Sequence, residues 1–246
     1  MQHDERAAAS SLPPTVSADL RGGGLNEYWK ARAAQHTQDT YAGVTMSKFP
    51  EDLRVYEHLL WLAQPDAVIE LGVQFGGSTL WWRDRLDALR RYGHHGARVV
   101  AVELDPQAAV DALGEADPRW HESITLIAGD VRDPDLPAQV RARIGPDARC
   151  LIVEDTAHVY ETTWAALEGF HSFVAPGGFF VIEDGCVDDE ALRISADWPR
   201  SVRPAIDEWL KTSSGSSFEA RRDLELYGVT CHPSGFLQRR ARAPEG

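Results

Sequence analysis

The stretch from Cys150 to Gly185 constrains the fold more than any other part of this 246-residue chain. It contains a short apolar run over Leu151–Val153, a polar turn over Glu154–His158, an amphipathic segment, a Pro-Gly-Gly turn and a second apolar run over Phe179–Ile182. This order predicts a strand, a helix and a second strand. Because the apolar runs do not alternate with polar residues, they are typical of parallel strands that are covered on both faces.

Acidic residues follow both predicted strands. Glu154 and Asp155 come after the first, and Glu183 and Asp184 come after the second. The carboxyl ends of neighbouring parallel strands face one crevice, where ligands bind in α/β sheets. His158 stands three residues after Asp155, one turn along if a helix begins there, so both side chains would face that crevice. We therefore expect an active centre made of Asp155, His158, Glu183 and Asp184.

This group of residues predicts a metal centre. Three converging carboxylates would raise one another's pKa, and a bound cation relieves that repulsion. Asp155, Glu183 and Asp184 are the candidate ligands of Mg²⁺ or another hard divalent cation, which prefers oxygen ligands. His158 suits a general base at neutral pH. The alternative is that the acids cap helices and that His158 is a partly buried polar residue.

The rest of the chain alternates between predicted strands and helices. Strands are predicted over Ala67–Leu71, Arg98–Leu104 and Ile124–Ala128, with a late antiparallel hairpin formed by Leu224–Thr230 and Phe236–Arg240. Helices are predicted over Asn26–Gln35, Glu51–Ala63, Thr79–Tyr92 and Arg203–Thr212, and a loop over Thr40–Pro50. This pattern predicts one doubly wound, mostly parallel α/β sheet with an antiparallel C-terminal hairpin.

Composition excludes several classes of protein. A net charge of −13 argues against nucleic acid or an anionic membrane as a partner. No apolar run is long enough to span a bilayer and the N-terminus lacks an apolar signal core, so we expect a cytoplasmic protein. Residues 1–25 combine prolines, serines and three consecutive glycines, which predicts a mobile tail before a single domain over 26–246. The three cysteines are expected to be reduced.

A glycine loop follows the first sheet strand. Glu70 ends that strand, and Gly72, Gly76, Gly77 and Ser78 lead into a helix. Glycine lets the backbone approach a ligand closely and adopt positive φ. The spacing matches neither the dinucleotide fingerprint nor a P-loop, which argues against a nicotinamide-dependent oxidoreductase. The loop instead suits a ligand without a pyrophosphate.

S-adenosylmethionine is such a ligand. Glu70 would lie near its amino group or sulfonium, Glu103 would accept hydrogen bonds from both ribose hydroxyls, and Asp130 would accept one from the adenine amine. Each acid taken alone could be a solvated residue at a strand end. Three acids at successive strand ends after a glycine loop favour the cofactor.

Four motifs between Phe49 and Gly185 resemble a known family. They are ELGVQFGGST, AVELDP, EDTAH and PGGFFVIEDG. They resemble the S-adenosylmethionine- and Mg²⁺-dependent O-methyltransferases typified by macrolide and rhamnosyl O-methyltransferases and by the cephalosporin-pathway protein often called cephalosporin hydroxylase. The resemblance implies a Rossmann-like class I methyltransferase fold, and such relatives tend to be homo-oligomers.

The resemblance also implies roles for single residues. Asp155, Glu183 and Asp184 match metal ligands, and His158 matches the proposed base. Glu103 matches the ribose position, where an aspartate is more usual, and its longer side chain still reaches a diol. Gly72 matches a glycine of the cofactor loop. Glu154 and Thr156, which flank Asp155, depart from the family, whose members often carry other small or acidic residues there.

Together these features predict methyl transfer from S-adenosylmethionine to a sugar hydroxyl of an antibiotic-type glycoside, with Asp155 and His158 as catalytic residues. A catechol or other non-sugar acceptor stays open, as does a cofactor-binding partner protein without turnover. Lys48 is interpreted as a solvated loop lysine, with a role over the ligand as the alternative. His232 is considered for the rim of the substrate site.

Overall fold

The computed structural model describes residues 24–94, 97–193, 195–228 and 230–241. The tail predicted for residues 1–25 lies outside the described residues except at its last two positions. Within the described residues, no helix has both the length and the apolar character needed to cross a bilayer.

Seven helices and nine strands lie in the described part of the chain. The helices are α1 (Leu25–His36), α2 (Pro50–Ala63), α3 (Gly77–Arg90), α4 (Gln107–Ala116), α5 (Leu136–Ile144), α6 (Tyr160–Phe170) and α7 (Val202–Trp209). The strands are β1 (Thr40–Tyr41), β2 (Val44–Thr45), β3 (Ala67–Leu71), β4 (Arg98–Glu103), β5 (Ile124–Ala128), β6 (Cys150–Glu154), β7 (Phe179–Ile182), β8 (Phe218–Ala220) and β9 (Phe236–Arg239).

Seven of these strands form one sheet in the order β5-β4-β3-β6-β7-β9-β8. The five strands from β5 to β7 are parallel, and β9 runs antiparallel to both β7 and β8. The chain adds β4 and β5 on one side of β3, and β6 and β7 on the other side. The strand order therefore reverses between β3 and β6, which creates a crevice at their carboxyl ends. The predicted doubly wound sheet with an antiparallel edge is confirmed.

Both faces of the sheet are buried, as the continuous apolar runs predict. On β3, Val68 packs with α2, α3 and α4 on one face, through Tyr56, Trp82 and Leu113. Its neighbour Ile69 packs with α5, α6 and α7 on the other face. Successive residues of a strand point to opposite faces, so a strand covered on both sides must be apolar at every position.

The strand predicted over Leu224–Thr230 is wrong. The hairpin partner of β9 is β8, and the segment after β8 forms short 3-10 turns over Arg222–Leu224 and Leu226–Gly228. Tyr227 has φ +68°, which an extended strand does not allow. The apolar side chains of Leu224 and Leu226 pack into the core on the α2 side instead of pairing in the sheet.

The loop predicted over Thr40–Pro50 contains a small antiparallel pair. Thr40 pairs with Thr45, and Tyr41 pairs with Val44. This hairpin lies so close to the start of α3 that a Cβ on Gly77 would be 2.3 Å from the carbonyl oxygen of Thr45. Gly77 is therefore required for packing.

Gly72 allows the ends of β3 and β6 to approach each other, and we predict that it tolerates no side chain. Its φ is +91°, and a Cβ would lie 2.0 Å from the carbonyl oxygen of Asp155. Gly43 also has a positive φ, +85°, but its Cβ would meet open space. Gly43→Ala should lower the free energy of unfolding by about 1 kcal/mol through left-handed strain alone. Gly72→Ala should lower it by about 3 kcal/mol or more, because backbone must also move.

Urea unfolding of the wild type and the two variants measures this difference. Equal losses in Gly72→Ala and Gly43→Ala would show that the approach to Asp155 does not constrain residue 72.

Candidate active site

A cleft of about 690 Å³ opens at the carboxyl edge of the sheet, where the strand order reverses. Its walls are the loops that follow β3, β4, β5 and β6, together with Asp184 after β7. His36, Ser47 and Trp198 complete the walls from outside the sheet. We call it the switch-point cleft.

Three residues of the predicted active centre meet in this cleft. The Nε2 atom of His158 lies 3.3 Å from an oxygen of Asp184 and 3.9 Å from an oxygen of Asp155. One potential ligand atom from each of the three residues lies within 4.8 Å of the other two. The local structure differs from the helix start considered for Asp155 and His158. The helix α6 begins only at Tyr160, and His158 lies in the preceding loop with φ +56°.

Glu183 lies behind this group, where a lysine and a tyrosine bind it. Lys48 Nζ donates to Asp155 at 2.5 Å and makes a short ion pair with Glu183. The other oxygen of Glu183 accepts a hydrogen bond of 2.5 Å from the hydroxyl of Tyr56. Glu183 is buried, so both of its oxygens are used inside the protein. As a metal ligand it would have to exchange one of these partners.

The solvated interpretation of Lys48 is wrong, because this side chain is only 4% exposed. Lys48 lies between Met46 and Phe49, both buried, and just before α2. It is one of three lysines in the chain, and its scarcity and apolar neighbours were the available signals. Its carboxylate partners lie 107 and 135 residues away, and no local pattern indicates them.

The acids of the cleft carry an excess of negative charge. Burial and the neighbouring Glu183 raise the pKa of Asp155 to about 7, although Lys48 opposes this shift. Burial disfavours the ionised form of Asp184, but the positive charges of His158 and Lys48 hold its pKa below the ordinary value. Burial opposes protonation of His158, yet Asp184 and Asp155 raise the pKa of its imidazole. Such a potential favours a cation.

The geometry fits a divalent cation at this point of the cleft. Asp155 and Asp184 have partly exposed carboxylates, with side-chain exposures of 25% and 27%, and they lie on one wall. They offer the hard oxygen ligands that Mg²⁺ prefers, with room for water or substrate in other positions. The predicted ligand set of Asp155, Glu183 and Asp184 stays a prediction, because Lys48 and Tyr56 already bind both oxygens of Glu183.

A buried hydrogen-bond network supports the acids from behind. His232 is 2% exposed and lies beneath the acids, not on a rim. Its Nε2 atom is 2.9 Å from the hydroxyl of Tyr56, and its Nδ1 atom accepts a hydrogen bond of 3.0 Å from the backbone N–H of Asp184. This contact fixes the backbone at the end of β7.

Three predicted cofactor residues line the cleft. Gly72 follows β3, Glu103 ends β4 and Asp130 follows β5. One oxygen of Glu103 accepts backbone hydrogen bonds of 2.8 Å from both Val73 and Gln74, so this acid shapes the glycine loop. Asp130 pairs with Arg132, whose hydrogen bonds lower the pKa of the carboxyl to about 2.

Four other predicted cofactor residues do not belong to the cleft lining. Glu70 is fully buried and accepts a hydrogen bond from the hydroxyl of Thr79 in α3. Gly76 packs against Leu113, where a Cβ would come within 2.9 Å. Gly77 and Ser78 begin α3 and are buried. Direct contact between these four residues and a cofactor stays a prediction.

Comparison with known proteins identifies the family. Residues 34–240 match the family model described as rhamnosyl O-methyltransferase/CmcI. The chain belongs to the rhamnosyl O-methyltransferase/CmcI family. The resemblance predicted from the four sequence motifs is therefore confirmed.

The named relatives are distant in sequence from this chain. The rhamnosyl O-methyltransferase of Mycobacterium tuberculosis (strain ATCC 25618 / H37Rv) is 23% identical over 205 residues, which cover 82% of this chain and 79% of the relative. Demethylmacrocin O-methyltransferase of Streptomyces fradiae is 24% identical over 117 residues, covering 48% of this chain and 27% of that protein.

Two solved structures share the fold. CmcI with Mg and SAM has a TM-score of 0.57 and 19% identity, and the match covers 95% of this chain and 91% of CmcI. MycE from the mycinamycin biosynthetic pathway, solved with Mg, SAH and mycinamycin VI, has a TM-score of 0.51 and 15% identity, covering 79% of this chain and 50% of MycE.

We predict that Lys48 is essential for stability when no metal is bound. Lys48→Met leaves the carboxylates of Asp155 and Glu183 without their cation, which should cost about 3–5 kcal/mol of unfolding free energy. Lys30→Met removes an exposed lysine of α1 and should change stability by less than about 0.5 kcal/mol. Urea unfolding in the presence of EDTA compares the two. A Lys48→Met protein as stable as Lys30→Met would contradict a bridging role.

Glu70 should give a distinct dependence of stability on pH. Burial raises its pKa from 4.5 to about 6. Between these values the unfolded chain loses the proton that the folded chain keeps, so this contribution is fully present below about pH 4.5 and is lost as the pH rises through 6. The shift corresponds to about 2 kcal/mol.

Glu70→Gln keeps an oxygen that can accept the Thr79 hydrogen bond and should remove this part of the pH dependence. Glu115→Gln, an exposed acid of α4, serves as the control. Unfolding free energies measured from pH 4 to 7 should diverge between wild type and Glu70→Gln; parallel curves would rule out the shift.

Proposed function

We propose that this protein is an O-methyltransferase that transfers a methyl group from S-adenosylmethionine to a sugar hydroxyl of a secondary-metabolite glycoside, with the help of a bound divalent cation. The observation that carries the proposal is the meeting of Asp155, His158 and Asp184 in the switch-point cleft. Membership of the rhamnosyl O-methyltransferase/CmcI family supports the class of reaction.

The cofactor side of the cleft supports S-adenosylmethionine. Gly72, Glu103 and Asp130 lie at the ends of three adjacent strands and face one cavity. A carboxylate at the end of the second strand of such a sheet is placed to accept hydrogen bonds from a ribose diol. The solved relatives CmcI and MycE were obtained with SAM or SAH, which supports the same cofactor here.

Asp155 and Asp184 would hold the cation, which we propose to be Mg²⁺. When bound, the cation supplies Lewis-acid chemistry that lowers the pKa of a coordinated hydroxyl. The CmcI and MycE structures with Mg support this choice. Lys48 and Tyr56 hold Glu183 behind these two acids, so its position is fixed before any ligand enters.

His158 is the proposed general base. Its Nε2 atom faces the same point of the cleft as the Asp184 and Asp155 carboxylates, and it can accept the proton of the acceptor hydroxyl. The two carboxylates then stabilise the imidazolium that forms. The loop at Gly72 lines the same cleft and would orient the sulfonium methyl group for in-line attack.

The choice of a sugar as acceptor follows the named relatives. A rhamnosyl O-methyltransferase, a demethylmacrocin O-methyltransferase and MycE with mycinamycin VI all match this chain. A catechol is the second candidate, because a cation held by Asp155 and Asp184 would recognise any two adjacent oxygens. Homo-oligomerisation stays a prediction.

We expect calorimetry to detect binding of both S-adenosylmethionine and Mg²⁺ to the wild type. Asp155→Ala should lose the Mg²⁺ signal and keep cofactor binding, because Asp155 lies on the metal side of the cleft. Asp147→Ala, an exposed acid before β6 at the opposite edge of the sheet, should keep both.

Release of S-adenosylhomocysteine with methyl rhamnoside, compared with catechol, separates the two acceptor classes.

Two results would overturn parts of the proposal. Absence of cofactor binding would remove the methyltransferase assignment. Methyl transfer at an unchanged rate in EDTA would remove the cation. A protein that binds the cofactor but releases no product with any acceptor would point to a partner protein without turnover.

A further inference from the structure

Two buried thiols lie beside Asp184. Cys186 is in the 3-10 turn Gly185–Asp188 that follows β7, and Cys231 is in the loop before β9. The two sulfur atoms and a carboxylate oxygen of Asp184 all lie within 4.8 Å of one another. Among the described residues this is one of two groups with metal-ligand spacing, and the other is Asp155, His158 and Asp184.

The backbone holds these three side chains in place. The N–H of Cys186 donates to the carbonyl of Cys231 at 3.0 Å, so the two cysteine-bearing loops are joined directly. Asp52 accepts a hydrogen bond of 3.0 Å from the N–H of Cys231, which ties the second loop to α2. Gly185 allows the close approach, because a Cβ there would lie 2.8 Å from the carbonyl oxygen of Pro233.

The surroundings provide a sheltered, apolar side and an open side. Trp29, Ala33 and Phe49 pack with the two cysteines in a small buried cluster. Asp184 is partly exposed and lines the switch-point cleft, so a cation bound to all three residues would keep a position open toward water. Three protein ligands with one open position are the pattern of catalytic zinc sites, whereas structural zinc sites have four protein ligands.

The chemistry of the ligand set selects the kind of metal. Mg²⁺ and Ca²⁺ prefer oxygen ligands only. Two sulfur atoms with one carboxylate instead favour a thiophilic cation, of which Zn²⁺ is a common example. On binding, the cation replaces two thiol protons, which pass to the buffer, and two metal–sulfur bonds form.

We propose that Asp184, Cys186 and Cys231 form a binding site for a thiophilic divalent cation such as Zn²⁺. The site is separate from the Asp155–His158–Asp184 group but shares Asp184 with it. Two cations bound to one carboxylate repel each other, so occupancy of the thiolate site opposes binding of a second cation at that group. This thiolate site goes beyond the proposed function and does not depend on methyl transfer.

Titration of the reduced, Mg²⁺-free protein with Co²⁺ tests the thiolate site directly. Co²⁺ bound by thiolates gives a sulfur-to-metal charge-transfer absorption, whereas Co²⁺ on oxygen and nitrogen ligands gives none. We expect this band in the wild type and its loss when Zn²⁺ is added in equimolar amount. No band in the wild type would overturn the proposal.

The chain offers a matched control among its three cysteines. Cys150 is also buried, but it begins β6 at the opposite edge of the sheet, where its thiol donates to the carbonyl of Ala148. Cys150→Ser should keep the band, whereas Cys186→Ser and Cys231→Ser should each lose it. A band that persists in either of the last two variants would contradict the assignment.

A measurement on the wild type keeps the test valid if a serine variant fails to fold. X-ray absorption of the Zn²⁺-loaded protein should show two sulfur neighbours at about 2.3 Å together with oxygen neighbours near 2.0 Å. A first shell without sulfur would place Zn²⁺ among the oxygen and nitrogen ligands and would refute the thiolate site.

Discussion

The ion pairs of Lys48 determine how the carboxyl edge of the sheet is arranged. One ammonium group joins the loop before α2 to Asp155 at the end of β6 and to Glu183 at the end of β7. Removing these charges from water is costly, and the cost is offset only because each has a close partner. Tyr56 and His232 extend the network from Glu183 to the backbone of Asp184. Three segments that are far apart in sequence are thereby held at one point.

This arrangement divides the acids into two classes. Glu183 uses both oxygens inside the protein, whereas Asp155 and Asp184 each keep part of their carboxylate in the cleft. The single positive charge of Lys48 does not neutralise the group, as the raised pKa of Asp155 indicates. The fold therefore holds the acids together without metal and still leaves a negative potential that attracts one. A fully neutralised cluster would have no such attraction.

Local patterns in the sequence predicted the sheet well because burial on both faces requires apolar residues at every position. Phe179–Ile182 and Ile124–Ala128 match the observed strands residue for residue. The acids at the strand ends were also predictable, because each follows directly after an apolar run whose last residue marks the end of a strand. The role of Glu70 was harder to predict, because the alternation of side chains along β3 places it on the face of Val68, against α3, and not at the crevice. Burial of Lys48, and the turns near Leu224, depend on tertiary packing that no local pattern contains.

Backbone strain is concentrated at the cleft in a way that links geometry to chemistry. Gln74, His158 and Asp184 all have φ near +55°, a left-handed conformation that is uncommon for residues other than glycine. All three line the switch-point cleft. Such strain persists only where surrounding contacts fix it, and for Asp184 those contacts are the His232 hydrogen bond and the close packing at Gly185. If β7 continued past Glu183, the Asp184 side chain would point to the face of the sheet opposite to that of Glu183. The left-handed turn instead directs its carboxylate into the cleft, within reach of both His158 and the two thiols.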